Sequence, residues 1–476
     1  MRPFCLLVVG TILLLLLTAG CQTVPAVPGT RAVFDVAGFG AVGDGVTFDT
    51  VAFRHAIEAC RQLGGGTVRV GPGTYRLQPL DLASGTTLLL DPQAELVFSD
   101  NPDDYPLQET RWDGIMRPGR RPAILADGLR NVAIVGGTID GSGARWWIPV
   151  HVSSPSRMQD RNALPASHPW ETDPLLRRPP LVQFHNCAQV RIAGVTFRNP
   201  PMTAVHVLFS RDVQIEDSTF QAPEVSPGTD GVVIDSSSDV RVEDCTAEVG
   251  GEAFALRSGR DEDGRRIGRP TSGVVIRNCT VDRSDTAIAI GPDMSGGVAG
   301  VRIVGCRIRN SEAGVAIRSM RGRGGVIHSV RVEGVQMQDV GAAFAISKRS
   351  RPTAPEAMSD RTPDIRAIHV RNLQVRDAAR AGIIEGLEEL PVRELSFREI
   401  DITARYGISC SWAQDVEFRN VVIATDFGPA ILRTDTIDLR LDNWSEATRP
   451  LPTQPAEPVS PATIPVTARD TIILPK

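Results

Sequence analysis

One short unit limits how this chain can fold: a polar residue followed by Val-x-(Ile/Val/Phe), returning at intervals mostly in the twenties and thirties. It reads Val132/Ile134, Val190/Ile192, Val213/Ile215, Val240/Val242 and Val274/Ile276. It continues as Val301/Ile303, Val330/Val332, Ile368/Val370, Leu395/Phe397 and Val416/Phe418. Alternating apolar positions point β-branched side chains to one face of a strand. A unit of this length with one or more short strands stacks on its neighbours as a solenoid, since no single unit can bury its own apolar face. No unit carries an apolar run at helical spacing long enough for two helices, which excludes helical repeats. The expectation is an all-β, single-stranded, right-handed parallel β-helix over residues 31–445. Its first coil is capped by an amphipathic helix over 51–63, with Phe53, Ala56, Ile57, Cys60 and Leu63 inward and Asp49 or Thr50 at its start.

The ends read differently. Arg2, the apolar run Leu6 to Leu17 and Leu17-Thr18-Ala19-Gly20-Cys21 resemble a bacterial lipoprotein signal, with Cys21 as the lipidated residue. The run is too short for a spanning helix of about 20 residues. Residues 1–21 are therefore expected as a leader and 22–30 as a tether. The protein is expected to be exported and held at a membrane by lipid alone, and 446–476 to form a Pro-rich tail. Of the six cysteines after the leader, Cys60, Cys187, Cys245, Cys279, Cys306 and Cys410, four (Cys187, Cys245, Cys279 and Cys306) each follow an Asn, Asp or Gly at a matching place in a repeat. That favours a ladder of free buried thiols over disulfides, with no metal-ligand spacing. A net charge of −5 with scattered arginines argues against a nucleic-acid surface. A monomer is expected. Residues 143–180, with Trp146, Trp147 and Trp170, and residues 347–365 interrupt the repeats. The tryptophans read equally as a cleft wall or as packing over the solenoid.

Chemistry concentrates between Gly228 and Gly325, where charged residues recur once per repeat. Equivalent positions on successive coils lie about 4.8 Å apart. Asp230 and Glu252 are 22 residues apart, close to one coil. Asp285 follows on the next coil if 259–272 loops outward, and Arg318 further along. That gives three acids and a cation on one strip. Paired carboxyls are the apparatus of glycoside hydrolysis, and like-charge crowding raises one pKa so that an acid stands beside a base.

At these residues the sequence resembles glycoside hydrolase family 28, the polygalacturonases and their relatives. The marks are Phe39-Gly40-Ala41-Val42-Gly43-Asp44-Gly45, Gly64-Gly65-Gly66-Thr67-Val68, Gly136-Gly137-Thr138-Ile139-Asp140-Gly141 and Arg178-Pro179-Pro180-Leu181. Ser258-Gly259-Arg260-Asp261-Glu262-Asp263-Gly264-Arg265-Arg266 and Met294-Ser295-Gly296-Gly297-Val298 look like the bacterial branch. The resemblance implies a pectin-lyase-like solenoid that hydrolyses a uronate-containing polysaccharide such as pectin without a cofactor. It also implies positions: the family's Asn-Thr-Asp is Gly228-Thr229-Asp230, its Asp-Asp pair is Gly251-Glu252, its Gly-His-Gly is Ser284-Asp285-Thr286, and its Arg-Ile-Lys is Ala316-Ile317-Arg318. Asp230, Glu252 and Asp285 are thus the candidate catalytic residues, and Arg318, His206 and Arg257 the candidate substrate contacts. For His206 a buried structural role is the plainer reading. The usual general acid is replaced by Gly251, so Glu252 or Asp285 must protonate the leaving oxygen if hydrolysis is to proceed. Two other readings stand: a β-helix lyase with the acids on Ca²⁺ and Arg318 as base, and a non-catalytic polysaccharide-binding protein.

Overall fold

The computed structural model describes residues 32–153, 172–349, 359 and 361–448. The leader, Cys21, the tether, Trp170, most of 347–365 and almost all of the Pro-rich tail lie outside them. Within them the chain winds as a right-handed parallel β-helix. Each coil contributes short strands to three parallel faces, joined by tight corners. One face stacks Val182–His185, Thr203–Leu208, Asp230–Asp235, Glu252–Arg257, the end of Thr280–Ile290, Ser311–Arg318 and Ala342–Ser347 in order. It is called the groove sheet below. The second face carries the repeated Val-x-Ile unit, through Ala188–Ala193, Arg211–Glu216, Ser238–Glu243, Thr271–Arg277, Val298–Val304 and onward. The third is shorter, as in Thr196–Arg198, Thr219–Gln221 and Thr246–Glu248.

Register explains the repeat. Val190, Val213, Val240, Val274, Val301 and Val330 are successive partners, and so are Ile192, Ile215, Val242, Ile276, Ile303 and Val332. All are buried, so each coil's apolar pair packs directly on the next and the core is one continuous column. Phe197 and Phe220 stack in the same way, their rings 5.4 Å apart. The corners need left-handed backbone, which Asn and Asp tolerate best of the side-chain-bearing residues. Asn186, Asp212, Asp239, Asp244 and Asn278 all have φ near +55°. Many of the chain's acids are therefore corner residues with a structural purpose. The six cysteines are buried and free, as expected, and Cys187, Cys245, Cys279 and Cys306 occupy equivalent corners of successive coils.

The N-terminal cap forms as Thr50–Gln62, burying Ala52, Phe53, Ala56, Ile57 and Cys60. Leu63, expected inward, lies past the last turn and is exposed. Asp49 occupies the cap position but does not bond the helix; its carboxylate accepts from Val42 and Gly43 N–H at 2.7 and 3.1 Å, fixing the preceding loop. The interruption after residue 143 begins as a helix, Ala144–Ser153. Trp146 packs edge-on against Tyr105, and Trp147 donates to the Pro200 carbonyl; both are buried. Of the two readings, packing over the solenoid holds.

Candidate active site

On the central coils of the groove sheet one outward residue is followed by two that face the core. Asp230 precedes Gly231 and Val232, Glu252 precedes Ala253 and Phe254, and Thr286 precedes Ala287 and Ile288. Ala253, Phe254, Ala287 and Ile288 are fully buried in the column. Thr203 pairs with Asp230, Val232 with Phe254, and Glu252 with Thr286, so Asp230, Glu252 and Thr286 form one outward file. Asp235 pairs with Arg257, and Ile290 with Ile317, which sets Asp235, Arg257 and Arg318 in a second outward file. Between the two files run Val233, Ala255 and Ala289, a buried apolar seam.

The expected strip is therefore two files. Asp230 and Glu252 are neighbours as their spacing implied. Asp285 is shifted by one residue, beside Gly251, whose carbonyl accepts its N–H at 2.9 Å, and it is exposed. Arg318 stands across the seam and returns to the first file by donating to Thr286 Oγ1 at 2.8 Å.

Arg257 spans the seam in the same direction, one coil pair earlier. Its Nη2 donates to Asp230 Oδ2 at 3.0 Å and to Glu252 Oε2 at 2.9 Å. Asp230 Oδ1 accepts the Glu252 N–H at 2.9 Å. Burial pushes the Asp230 carboxyl up to about 6; Arg257 opposes this and the Glu252 charge adds to it. On Arg257 burial favours loss of charge, but Glu252, Asp230 and Asp293 together outweigh it and raise its pKa. Behind Asp230 lies Arg178, donating to the Pro201 and Pro227 carbonyls at 2.9 and 2.8 Å. Burial brings its guanidinium down to about 10, against the pull of Asp230.

A side chain at position 251 requires its surroundings to shift. A Cβ there would sit 2.5 Å from Asp230 Oδ1 and 3.0 Å from Thr229 backbone. The turn that presses against it is held by Ser226 Oγ to Thr229 Oγ1 at 2.6 Å and by Gly250 N–H to Thr229 Oγ1 at 3.1 Å. The nearest alternative carboxylate on the strand pairing with Glu252 is Asp285.

A wall stands at one end of the groove that the repeat pattern does not signal. Strands Leu107–Trp112 and Ile115–Arg120 form an antiparallel hairpin laid over the groove sheet. Arg111 Nη1 donates to Asp235 Oδ1 and Ser236 Oγ, each at 2.6 Å, with both charged side chains sealed from solvent. Its guanidinium also covers Phe209, 4.6 Å from the ring centre. Thr110 bonds Gln183, and Gln183 bonds His206 Nδ1 at 3.0 Å. His206, expected as a substrate contact, is instead covered by this hairpin and only 5% exposed. Burial depresses its pKa despite the neighbouring Asp235, so the imidazole is a neutral structural group. At the tip, Asp113 pairs with Arg260 at 2.5 Å and Gly114 abuts Asp293. Burial, aided by Asp113, pushes Asp293 up to about 6.

Calcium does not fit the donor set. The space shared by Asp230 and Glu252 holds the Arg257 guanidinium, a cation already bonded to both.

The sequence profile of glycosyl hydrolases family 28 matches residues 60–423. A probable polygalacturonase of Vitis vinifera is 30% identical over 76% of this chain and 73% of its own length. An exo-poly-alpha-D-galacturonosidase of Dickeya chrysanthemi is 26% identical over 65% of this chain and 55% of its own. Among solved structures, a hyperthermoactive exopolygalacturonase from Thermotoga maritima superposes with a TM-score of 0.72 at 26% identity, covering 87% of this chain and 92% of that one.

Proposed function

Because this chain belongs to glycosyl hydrolases family 28 and is a glycosidase, we propose that it hydrolyses polygalacturonate, with Asp230 and Glu252 activating water and Asp285 protonating the leaving oxygen. Water adds to the anomeric carbon as the glycosidic C–O bond breaks. The water proton passes to Asp230, and the Asp285 proton goes to the departing hydroxyl. The observation that carries this reading is Asp230: a buried carboxyl held near pKa 6, touching the guanidinium that also holds Glu252. A base with that pKa is poised for proton transfer near neutrality. Asp285 lies on the coil facing Gly251, where the family's usual acid is missing, and its exposure lets it meet a leaving group. Arg318, anchored on Thr286, is placed to bind a uronate carboxylate.

The hairpin supports attack from a chain end. It covers the groove sheet over Gln183 and His206, so a polymer has no path past Asp230 in that direction. Two relatives above carry exo-acting names. The leader and Cys21 support export with a lipid anchor; Cys21→Ala should shift the protein out of the membrane fraction.

The test is a time course on polygalacturonate. Expected are new reducing ends, monomer as the first product, and loss of turnover in Asp285→Asn. No reducing ends from the wild type, or an unsaturated product, would overturn the assignment. An early ladder of oligomers would overturn only the chain-end mode.

A further inference from the structure

Charged side chains on the outer faces of this solenoid are mostly paired across coils with opposite partners. Arg277 meets Glu243, Arg376 meets Asp401, and Arg398 meets Glu417. One file of the second sheet breaks the pattern. Arg241, Val275, Arg302, Arg331 and His369 are consecutive register partners on five coils. The three arginines and the histidine are exposed. Among the described residues, Arg241, Arg302 and Arg331 make no ion pair, although Arg302 and Arg331 are direct cross-strand neighbours. Like charges about 4.8 Å apart on adjacent strands oppose folding. Stability therefore gives no reason for them.

The file ends in a groove of about 710 Å³ whose lining includes Arg331, His369 and Ser396 together with the acids Glu333, Glu394 and Asp415, of which Glu394 pairs with Arg393. Glu417, also on its lining, is neutralised by Arg398 and Arg419. Three unpaired arginines in one file parallel to the solenoid axis match a linear polyanion in shape and sign, and His369, which burial and the neighbouring Arg331 and Arg398 hold neutral, extends the file as a hydrogen-bonding group. From this we infer that the Arg241–Arg302–Arg331–His369 file is a second binding site for an acidic polysaccharide chain, on a different sheet from the active site. The inference rests on the substrate being a polyuronate. The site would hold polymer at the enzyme surface while chain ends are cleaved elsewhere, and its contacts would be screened by salt.

The test uses the full chain carrying Asp230→Asn, so that polymer is bound without being consumed. Mobility is followed in native gels containing polygalacturonate or neutral galactan. Adding Arg302→Ala and Arg331→Ala should weaken retardation by polygalacturonate about threefold to tenfold, as expected for two exposed charges. Galactan gels should show no change. With Asp230 restored, the double variant should cleave short uronate oligomers at the wild-type rate, with its Tm unchanged or slightly raised. Unchanged polygalacturonate affinity would overturn the second site. So would loss of binding confined to vesicles of anionic phospholipid. Failure of the wild type to cleave oligomers would instead overturn the proposed function, leaving the gel result to stand separately.

Discussion

Two carboxylates on a single strand, Asp230 and Asp235, are each held by an arginine, yet their electrostatics point in opposite directions. Asp235 lies beneath the hairpin, bonded by Arg111 and approached by His206. Burial alone would raise its pKa, but those partners more than compensate and hold it low. Asp230 is also buried, though less completely, but its arginine is divided with Glu252, and burial prevails. A buried carboxylate with a dedicated, sealed cation has its charge fixed and serves the fold. One that must share its cation with a second acid remains titratable, which is what proton transfer requires.

That contrast can be broken most severely by Asp230→Asn or Glu252→Gln. Each should lower kcat on polygalacturonate by about 10²–10⁴-fold while leaving the melting temperature nearly unchanged. Arg111→Ala should do the reverse in kind. It strands Asp235 without its partner, at a cost of about 3–5 kcal/mol by denaturant unfolding, and whatever activity persists at low temperature should shift toward longer products as the wall loosens. Gly251→Asp, which puts a carboxyl where the family pattern implies one, should not improve turnover. The added side chain collides with Asp230 and Thr229, and about 1–3 kcal/mol of stability should be lost to overpacking. The mildest effect is on pH dependence. With Asp230 acting as base, kcat/KM should fall as pH drops below about 6. Because Arg257 lowers that pKa, Arg257→Gln should move the limb to higher pH; an unmoved limb would mean that another group controls it.

The coils were legible in the sequence because their interior leaves so little freedom. Val240 and Val242 must repeat Val213 and Ile215, since each touches its counterpart directly. Asp230 and Glu252 were legible for the same reason, 22 residues being one uninterrupted coil. Register failed beyond that. The Asp261–Ile267 helix is inserted after the Glu252 strand, and Thr280–Ile290 serves two sheets in turn. Counting therefore could not place Asp285 opposite Gly251 or Arg318 across the seam. Nor could it find the hairpin, whose Arg111 meets Asp235 124 residues further on. Such a contact leaves no periodic trace, and it is what reassigns His206 from the substrate to the scaffold.

The close fit of Gly250 and Gly251 against Ser226 and Thr229 has a bearing on how this site could change. A side chain added at 251 presses on the Asp230 carboxyl and on the Thr229 backbone, so a return to a two-aspartate arrangement requires the facing turn to shift along with the substitution. Engineering toward that arrangement means exchanging both loops as a single cassette. An acid on the neighbouring coil, such as the exposed Asp285, meets no such obstacle.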